Sequence, residues 1–371
     1  MTIERRRLGR TGLMVSVLGF GGAPIGEHVP PKMREEAEGI VRYAFDQGVN
    51  YFDTARSYGN SEESIGAALQ PVRDSCVIAT KVEDRTKRGA WVQLKQSLRK
   101  LRTDMVNVIQ VHSLTDINDL KKITGSEGAL EALKEARSQG IVEYIGVTGH
   151  HTHVLVEAIR TGEFDVVQAP INVVTRRALE ELVPLAKTLD VGFVVMKPFG
   201  GQPFFQGSEE FRVLLGGERY KVAKRGLDFI LRQEVSTIIP GFESVPEVEA
   251  AVEAVQGFNP ATPIEQFEFW GDEEGRYCRE SGTLYTCEMC KPCPEFLNIP
   301  AVLRFDRFYG YGIRDWAKKQ YGRLSTRVDD CTQCGECEKR CPYGLPIVKL
   351  LKHADERLSP SKSSTPKVIG A

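Results

Sequence analysis

The chain has 371 residues, 41% hydrophobic and 27% charged, enough for one full core and a second, smaller unit. Its 49 basic and 50 acidic side chains leave a formal net charge of −1, and no apolar run approaches the roughly 18 residues of a membrane span, so we expect neither a nucleic-acid nor a membrane partner. Met1 to Arg10 is polar and charged with no apolar stretch behind it, which argues against a secretory leader and for a reducing cytoplasm.

Arg5 to Val17, with Gly9 and Gly12 as turn signals, is expected to form a small hairpin. Short β-branched runs then alternate with amphipathic ones. Strands are expected at Val17 to Phe20, Val49 to Thr54, Cys76 to Val82, Met105 to His112, Val142 to Val147, Val166 to Ile171, Gly192 to Lys197 and Val235 to Pro240. Helical patterns fill the gaps, among them Met33 to Phe45, Glu62 to Leu69, Ala90 to Leu101, Leu130 to Gln139, Leu179 to Thr188 and Pro246 to Val255. Eight strand-helix repeats over about 250 residues is the count of a (β/α)8 TIM barrel. Doubly wound sheets alternate too, but the first junction, GFGGAP, lacks a G-x-G-x-x-G phosphate loop.

Active sites of such barrels lie where the strands end. Three polar residues stand there: Asp53, Lys81 and His112, and Tyr58 follows Asp53 in the loop FDTARSYG. Singly, the Asp is a helix cap, the Lys a solvated charge, the Tyr and His core residues with polar tips. Together, at consecutive strand ends, they form a candidate catalytic set. Cys76 begins a buried strand and is expected in the core. His150, His151 and His153 in TGHHTHV sit at a strand-helix junction without a neighbouring Cys or carboxylate set, and are taken as junction residues rather than a metal site. Arg176 and Arg177, at a helix start, could touch a cofactor or be solvated, the second being favoured.

After Phe258-Asn259-Pro260-Ala261-Thr262-Pro263 the composition changes. Eight of the nine cysteines follow: Cys278, Cys287, Cys290, Cys293, Cys331, Cys334, Cys337 and Cys341. The last four read C-x2-C-x2-C-x3-C-P, the spacing of bacterial 4Fe-4S ferredoxins. A zinc site needs four ligands and has no use for a third cysteine at the next step, and disulfides do not suit a reducing compartment. Between the groups, Val302, Phe305, Tyr309 and Trp316 fall at helical spacing, so the module is expected to be mainly α-helical and ferredoxin-like. We expect domains at 1–260 and 261–358, with a Pro/Ser-rich tail, 359–371, disordered.

Residues 4 to 257 resemble the aldo-keto reductases in LGRTGLMVSVLGFGG, NYFDTARSYGNSEESIGAAL, IATK, VIQVH and IIPG, and nearly the whole chain resembles the subgroup with a C-terminal 4Fe-4S extension. The resemblance implies a catalytic tetrad of Asp53, Tyr58, Lys81 and His112, reducing a small-molecule carbonyl: an aldehyde, ketone or quinone. Tyr58 would be the general acid. A phenol of pKa about 10 holds its proton at pH 7, and a neighbouring ammonium lowers that value by roughly 1 to 3 units. Lys81 would supply the ammonium, Asp53 would hold it, and His112 would orient the carbonyl oxygen through a second hydrogen bond.

The resemblance also implies a nicotinamide, NADP(H) or NAD(H), across the barrel mouth. Its contacts would be Gly22, Thr148, Gly149, Gln168, Met196, Lys197, Pro198, Gly200, Gly201, Pro240 and Gly241, with Asn172 nearby. Gly149 replaces the usual Asn and Met196 a frequent Tyr. Where NADPH-specific members carry basic side chains, this chain has Glu243, Glu247 and Glu249, which puts NADP preference in question. By ferredoxin analogy, Cys331, Cys334 and Cys337 would pair with Cys293, and Cys287 and Cys290 with Cys341, leaving Cys278 as the fourth ligand of a second cluster. If Cys278 does not reach, that cluster would have an open iron or be a labile 3Fe-4S, and a single cluster is the alternative. Nicotinamide passes a hydride and a cluster one electron, so direct exchange needs a flavin or a radical-stabilising substrate. Two functions follow: a carbonyl reductase whose clusters relay electrons to a redox partner protein, or an electron-transfer or sensing protein whose barrel binds nicotinamide without rapid turnover.

Overall fold

The computed structural model describes residues 3–27, 33–172, 175–199, 219–262, 290–310 and 314–359; Gly200, Gly201, Cys278 and Cys287 lie outside them. The chain divides into two compact units, Met1–Glu265 and Gln266–Ala371. The first opens with an antiparallel hairpin, β1 (Arg5–Arg7) on β2 (Met14–Ser16), in the register Arg6 opposite Val15. Gly9 holds a φ of +52°, and a Cβ there would lie 2.2 Å from the Gly192 amide nitrogen, so only glycine fits. The hairpin buries Leu8 and Val15 fully, each worth about 1.5–3 kcal/mol against exposure. Arg7 and Arg10 tie it to Asp190 and Asp165, both just ahead of barrel strands, so it closes the end where those strands begin.

Eight parallel strands form the barrel: β3 (Phe20–Gly21), β4 (Tyr51–Asp53), β5 (Val77–Val82), β6 (Val106–Leu114), β7 (Val142–Gly149), β8 (Val166–Pro170), β9 (Gly192–Met196) and β10 (Thr237–Ile239). Each expected strand is present. The ring closes where Gly19 N–H donates to Ile238 O at 2.7 Å, Ile238 N–H to Val17 O at 2.9 Å and Gly21 N–H to Pro240 O at 2.8 Å. Strands such as β5 (VIATKV) and β9 (GFVVM) are buried along their length, as expected of parallel strands covered on both faces.

The surrounding helices are α1 (Ala23–Glu27), α2 (Arg34–Asp46), α3 (Ser61–Leu69), α4 (Lys87–Leu101), α5 (Ile117–Thr124), α6 (Ala129–Ser138), α7 (Thr152–Arg160), α8 (Arg177–Glu180), α9 (Leu182–Thr188), α10 (Arg219–Leu231) and α11 (Val245–Gln256). The single helix expected over Leu179 to Thr188 is two. The chain breaks at Glu181 (φ −136°, ψ −49°), because Pro184 has no N–H for the Glu180 carbonyl and its ring would clash with it.

In the second unit α12 (Ile299–Gly310) and α13 (Arg314–Gly322) meet through Trp316, whose ring lies 5.7 Å from Phe305 and 5.2 Å from Phe308. Short α14 (Glu336–Arg340) precedes α15 (Ile347–Leu358). Buried Tyr321 donates to Asp355 at 2.5 Å and accepts from Val328 N–H at 3.3 Å, fixing the turn that leads into Cys331.

Candidate active site and cluster cavity

The strand register brings Asp53, Lys81 and His112 to the same end of neighbouring strands, with Tyr58 on the loop after β4. Lys81 Nζ donates to Asp53 Oδ1 at 2.6 Å and to the Thr54 carbonyl at 2.7 Å, and the two side chains are 1% and 2% exposed. Gln110, two residues before His112 and on the same strand face, donates to the other Asp53 oxygen at 3.1 Å. Burial works against the ammonium, but the Asp53 carboxylate and then Tyr58 outweigh it, so the Lys81 pKa is raised. Burial also lifts Asp53 above its usual range, and Lys81, Gln110 and Gln168 offset part of that rise. Lys81 Nζ stands 4.8 Å from the centre of the Tyr58 ring, where it would stabilise a phenolate.

The Tyr58 hydroxyl lies 3.5 Å from His112 Nε2, and the other ring nitrogen, Nδ1, lies 3.1 Å from Glu83 Oε1. Burial first, and the Lys81 charge next, push the His112 imidazole down to about 4, against a smaller upward pull from Glu83. The ring is neutral at pH 7. Gln110 and Glu83 do not stand out in the sequence, yet a signal for them is there: Lys81 and Glu83, like Gln110 and His112, are two residues apart, so an extended chain puts them on one face.

Gln168, 2% exposed, is within 3.7 Å of Met196 Sδ through its Nε2, while its Oε1 is buried without a hydrogen-bond partner. An unsatisfied buried acceptor costs about 1–3 kcal/mol, so this position fits a donor such as a carboxamide N–H. Thr148 Oγ1 accepts from Ser113 N–H at 3.2 Å, with Gly149 next to it at the end of β7. Asn172 ties the mouth together: its Nδ2 donates to the Lys197 carbonyl at 3.1 Å and its Oδ1 accepts from Thr175 N–H at 2.7 Å. Lys197 itself has a φ of +55° and precedes buried Pro198. Gly22 donates to the Asp53 carbonyl at 2.8 Å, and a Cβ would meet Ser61 Oγ at 2.5 Å, so packing beside the tetrad requires this glycine. Pro240 and Gly241 form part of the closing seam against Gly21.

Of the three glutamates after the last strand, Glu247 accepts from Glu243 N–H at 2.6 Å at the start of α11, and Glu249 accepts from the Tyr43 hydroxyl at 3.0 Å. Arg176 lies over the Phe229 ring at 5.1 Å and Arg177 pairs with Glu180 and Glu181, so neither is merely solvated. Cys76 is 4% exposed, with its thiol pushed up by burial to about 11, a core residue. His151 precedes α7 as its cap and His153 lies on it.

In the second unit Cys293, Cys331, Cys334 and Cys337 line one small cavity, walled by Leu297, Ile299, Val348 and Leu351. Cys341, the cysteine before Pro342, is not among its lining residues, nor is Cys290. Gly335, at a φ of +75°, turns the chain between Cys334 and Cys337. Among the described residues no group of three or more His, Cys, Asp or Glu is gathered tightly enough for a single metal ion. Four thiolates round a cubane each bind their own iron and stand farther apart than four round one zinc, so this donor set and its apolar wall fit a 4Fe-4S cluster.

Residues 17–262 match the aldo/keto reductase family, and residues 285–346 match the 4Fe-4S dicluster domain. L-Galactose dehydrogenase of Arabidopsis thaliana is 30% identical over 286 residues, 68% of this chain and 88% of that protein. D-threo-Aldose 1-dehydrogenase of a Pseudomonas species is 26% identical over 223 residues, 51% of this chain and 67% of that protein. Among solved structures, the holo form of an aldo-keto reductase from Bacillus halodurans is 27% identical with a TM-score of 0.58, covering 68% of this chain and 91% of that one.

Proposed function

The chain belongs to the aldo/keto reductase family and carries a 4Fe-4S dicluster domain, and from this we propose that it is an NAD(P)-dependent oxidoreductase interconverting a carbonyl and an alcohol, with Tyr58 as the proton-carrying residue. The observation that carries the proposal is the buried Lys81–Asp53 pair beside the Tyr58 ring. A buried ion pair is poor value for stability alone, since apolar residues of similar volume often do as well. Set beside a phenol, it keeps an ammonium where charge on the phenolic oxygen needs it.

When bound, a nicotinamide supplies or receives the hydride. This chain's part is to hold the ring, with Gln168, Thr148, Gly149 and Met196 at the carboxamide and ring face, and to pass the proton at the Tyr58 oxygen. The candidate substrates remain an aldehyde, a ketone or a quinone. That the Arabidopsis and Pseudomonas relatives are named as dehydrogenases supports including the oxidative direction in this reading. When bound in the second unit, iron-sulfur clusters supply one-electron transfer, and we assign them the relay of electrons to a redox partner. Cys293, Cys331, Cys334 and Cys337 would hold one cluster. Cys290 and Cys341, with Cys287 and Cys278, would hold a second.

Anaerobic purification with iron and sulfide analysis, then NAD(P)H oxidation against a carbonyl panel and a viologen, tests this directly. Carbonyl-dependent oxidation that falls at least a hundredfold in Tyr58→Phe, with nicotinamide binding kept, is the expected result. Wild-type turnover in that variant would remove Tyr58 from the chemistry. Cofactor binding without carbonyl-dependent oxidation in the wild type would favour the electron-transfer function instead.

A further inference from the structure

Glu83 has no part in the chemistry above, yet its carboxylate touches the tetrad. It lies 3.1 Å from His112 Nδ1 and also bonds Ser57, in the loop that carries Tyr58. The loop after β5 aims it. Glu83 N–H donates to Gln93 Oε1 at 2.7 Å, Arg85 donates to the Glu83 carbonyl at 3.0 Å, and Asp84 accepts from both the backbone and the hydroxyl of Thr86, which caps α4. Across the imidazole, Nε2 lies 3.5 Å from the Tyr58 hydroxyl.

A neutral imidazole has one N–H to give, and an ionised carboxylate can only accept. The groups that bear on the ring are Lys81, Glu83, Arg85 and His150, with the Tyr58 hydroxyl opposite, and their sum with burial keeps it neutral at pH 7. Its single proton therefore has a reason to sit on one nitrogen.

We propose that Glu83 is a positioning residue that fixes the His112 proton on Nδ1 and leaves Nε2 a bare acceptor, matching the site to a bound alcohol rather than to a bound carbonyl. An alcohol oxygen accepts from Tyr58 while its own hydroxyl donates to Nε2, so both site groups are satisfied. A carbonyl oxygen answers only the Tyr58 donor and leaves Nε2 facing lone pairs. This reverses the donor role expected of His112 from the sequence. It rests on Tyr58 being the residue that meets the substrate oxygen, but the proton position can be read without any substrate.

The test uses the full chain, prepared anaerobically with 15N-labelled histidine, and long-range 1H–15N correlation at pH 7, with His112→Asn identifying the signal. The expected wild-type spectrum has a protonated Nδ1 and a bare Nε2; a protonated Nε2 overturns the proposal. Glu83→Leu should move the proton toward Nε2, and Glu83→Gln, which offers both donor and acceptor, should give a mixture. An unmoved proton in both variants also overturns it. As a binding readout, 4-nitrobenzyl alcohol is titrated with reduced cofactor and 4-nitrobenzaldehyde with oxidised cofactor, so that neither reacts. The preference for the alcohol should fall roughly tenfold in Glu83→Leu, the cost of one mismatched buried acceptor; an unchanged preference counts against the proposal. Tyr58→Phe separates the two layers: if it keeps turnover, the tetrad assignment fails while the wild-type tautomer stands on its own spectrum.

Discussion

In the barrel, the candidate reacting groups stand on strands and are held by one another: Lys81 by Asp53 and Thr54, Asp53 by Gln110, His112 by Glu83. In the second unit Cys293, Cys331 and Cys334 stand on irregular segments and Cys337 on the short helix α14. Cys334 is exposed, Cys293 and Cys331 are half-buried, and Cys337 is covered. The contrast is between a site whose geometry comes from the fold and one whose geometry must come largely from what it binds. Metal-thiolate bonds form only in the folded state, so their free energy becomes folding free energy. A strand end needs no such help.

The largest effect that follows is on the second unit. Removing iron with a chelator under anaerobic conditions should abolish the cooperative unfolding of that unit while leaving the barrel's own transition within a few degrees. Differential scanning calorimetry of holo and chelated chains reads both. A second unit that melts unchanged without iron would break the contrast, because its turns would then be set by protein contacts alone.

Next in size is the pair inside the barrel. Lys81→Met leaves the Asp53 carboxylate buried without its cation, which should destabilise the barrel by about 3–5 kcal/mol in chemical denaturation. A loss below about 1 kcal/mol would mean that water reaches Asp53 and that the site is looser than its hydrogen bonds suggest.

Acid probes the same site more gently. His112 has an ordinary value of 6.5 and is held at about 4 in the folded chain. Between those values the unfolded chain binds a proton that the folded chain does not, so stability must fall as pH drops from 6.5 to 4 and level off below. The contribution is about 3 kcal/mol over that window. The difference between wild type and His112→Asn in pH-dependent denaturation isolates it; parallel curves would show a ring open to solvent.

How far the sequence showed these two regions differs for a physical reason. The eight strands and the positions of Asp53, Lys81 and His112 were legible because strand runs are local and the barrel rule assigns function to their ends. The C-x2-C-x2-C-x3-C-P run was legible because its ligands are close in sequence. What was not legible were long-range partners: Glu83 lies 29 residues from His112, and Gln110 57 from Asp53, distances over which nothing local fixes a contact. The break at Glu181 was missed because the apolar spacing continues across it, although Pro184 was in plain view. The gathering of Cys293 with Cys331, Cys334 and Cys337 spans a pair of helices, and only ferredoxin analogy suggested it.

The smallest effect tests whether the barrel site is held redundantly. Thr86 caps α4 by accepting from Gly89 N–H at 3.1 Å, and its own hydroxyl donates to Asp84 at 2.6 Å, one residue from Glu83. Thr86→Ala should cost about 1 kcal/mol and lower the barrel's Tm by about 2–4 °C. Glu83 would still be held by Gln93 through its backbone and by His112 and Ser57 through its carboxylate, so kcat/KM should stay within about twofold, a fraction of 1 kcal/mol. A tenfold loss of kcat/KM with the barrel still folded would mean that the cap, and not the mesh of side chains, aims Glu83. The barrel's turns would then be as dependent on single supports as the thiol loops are on iron.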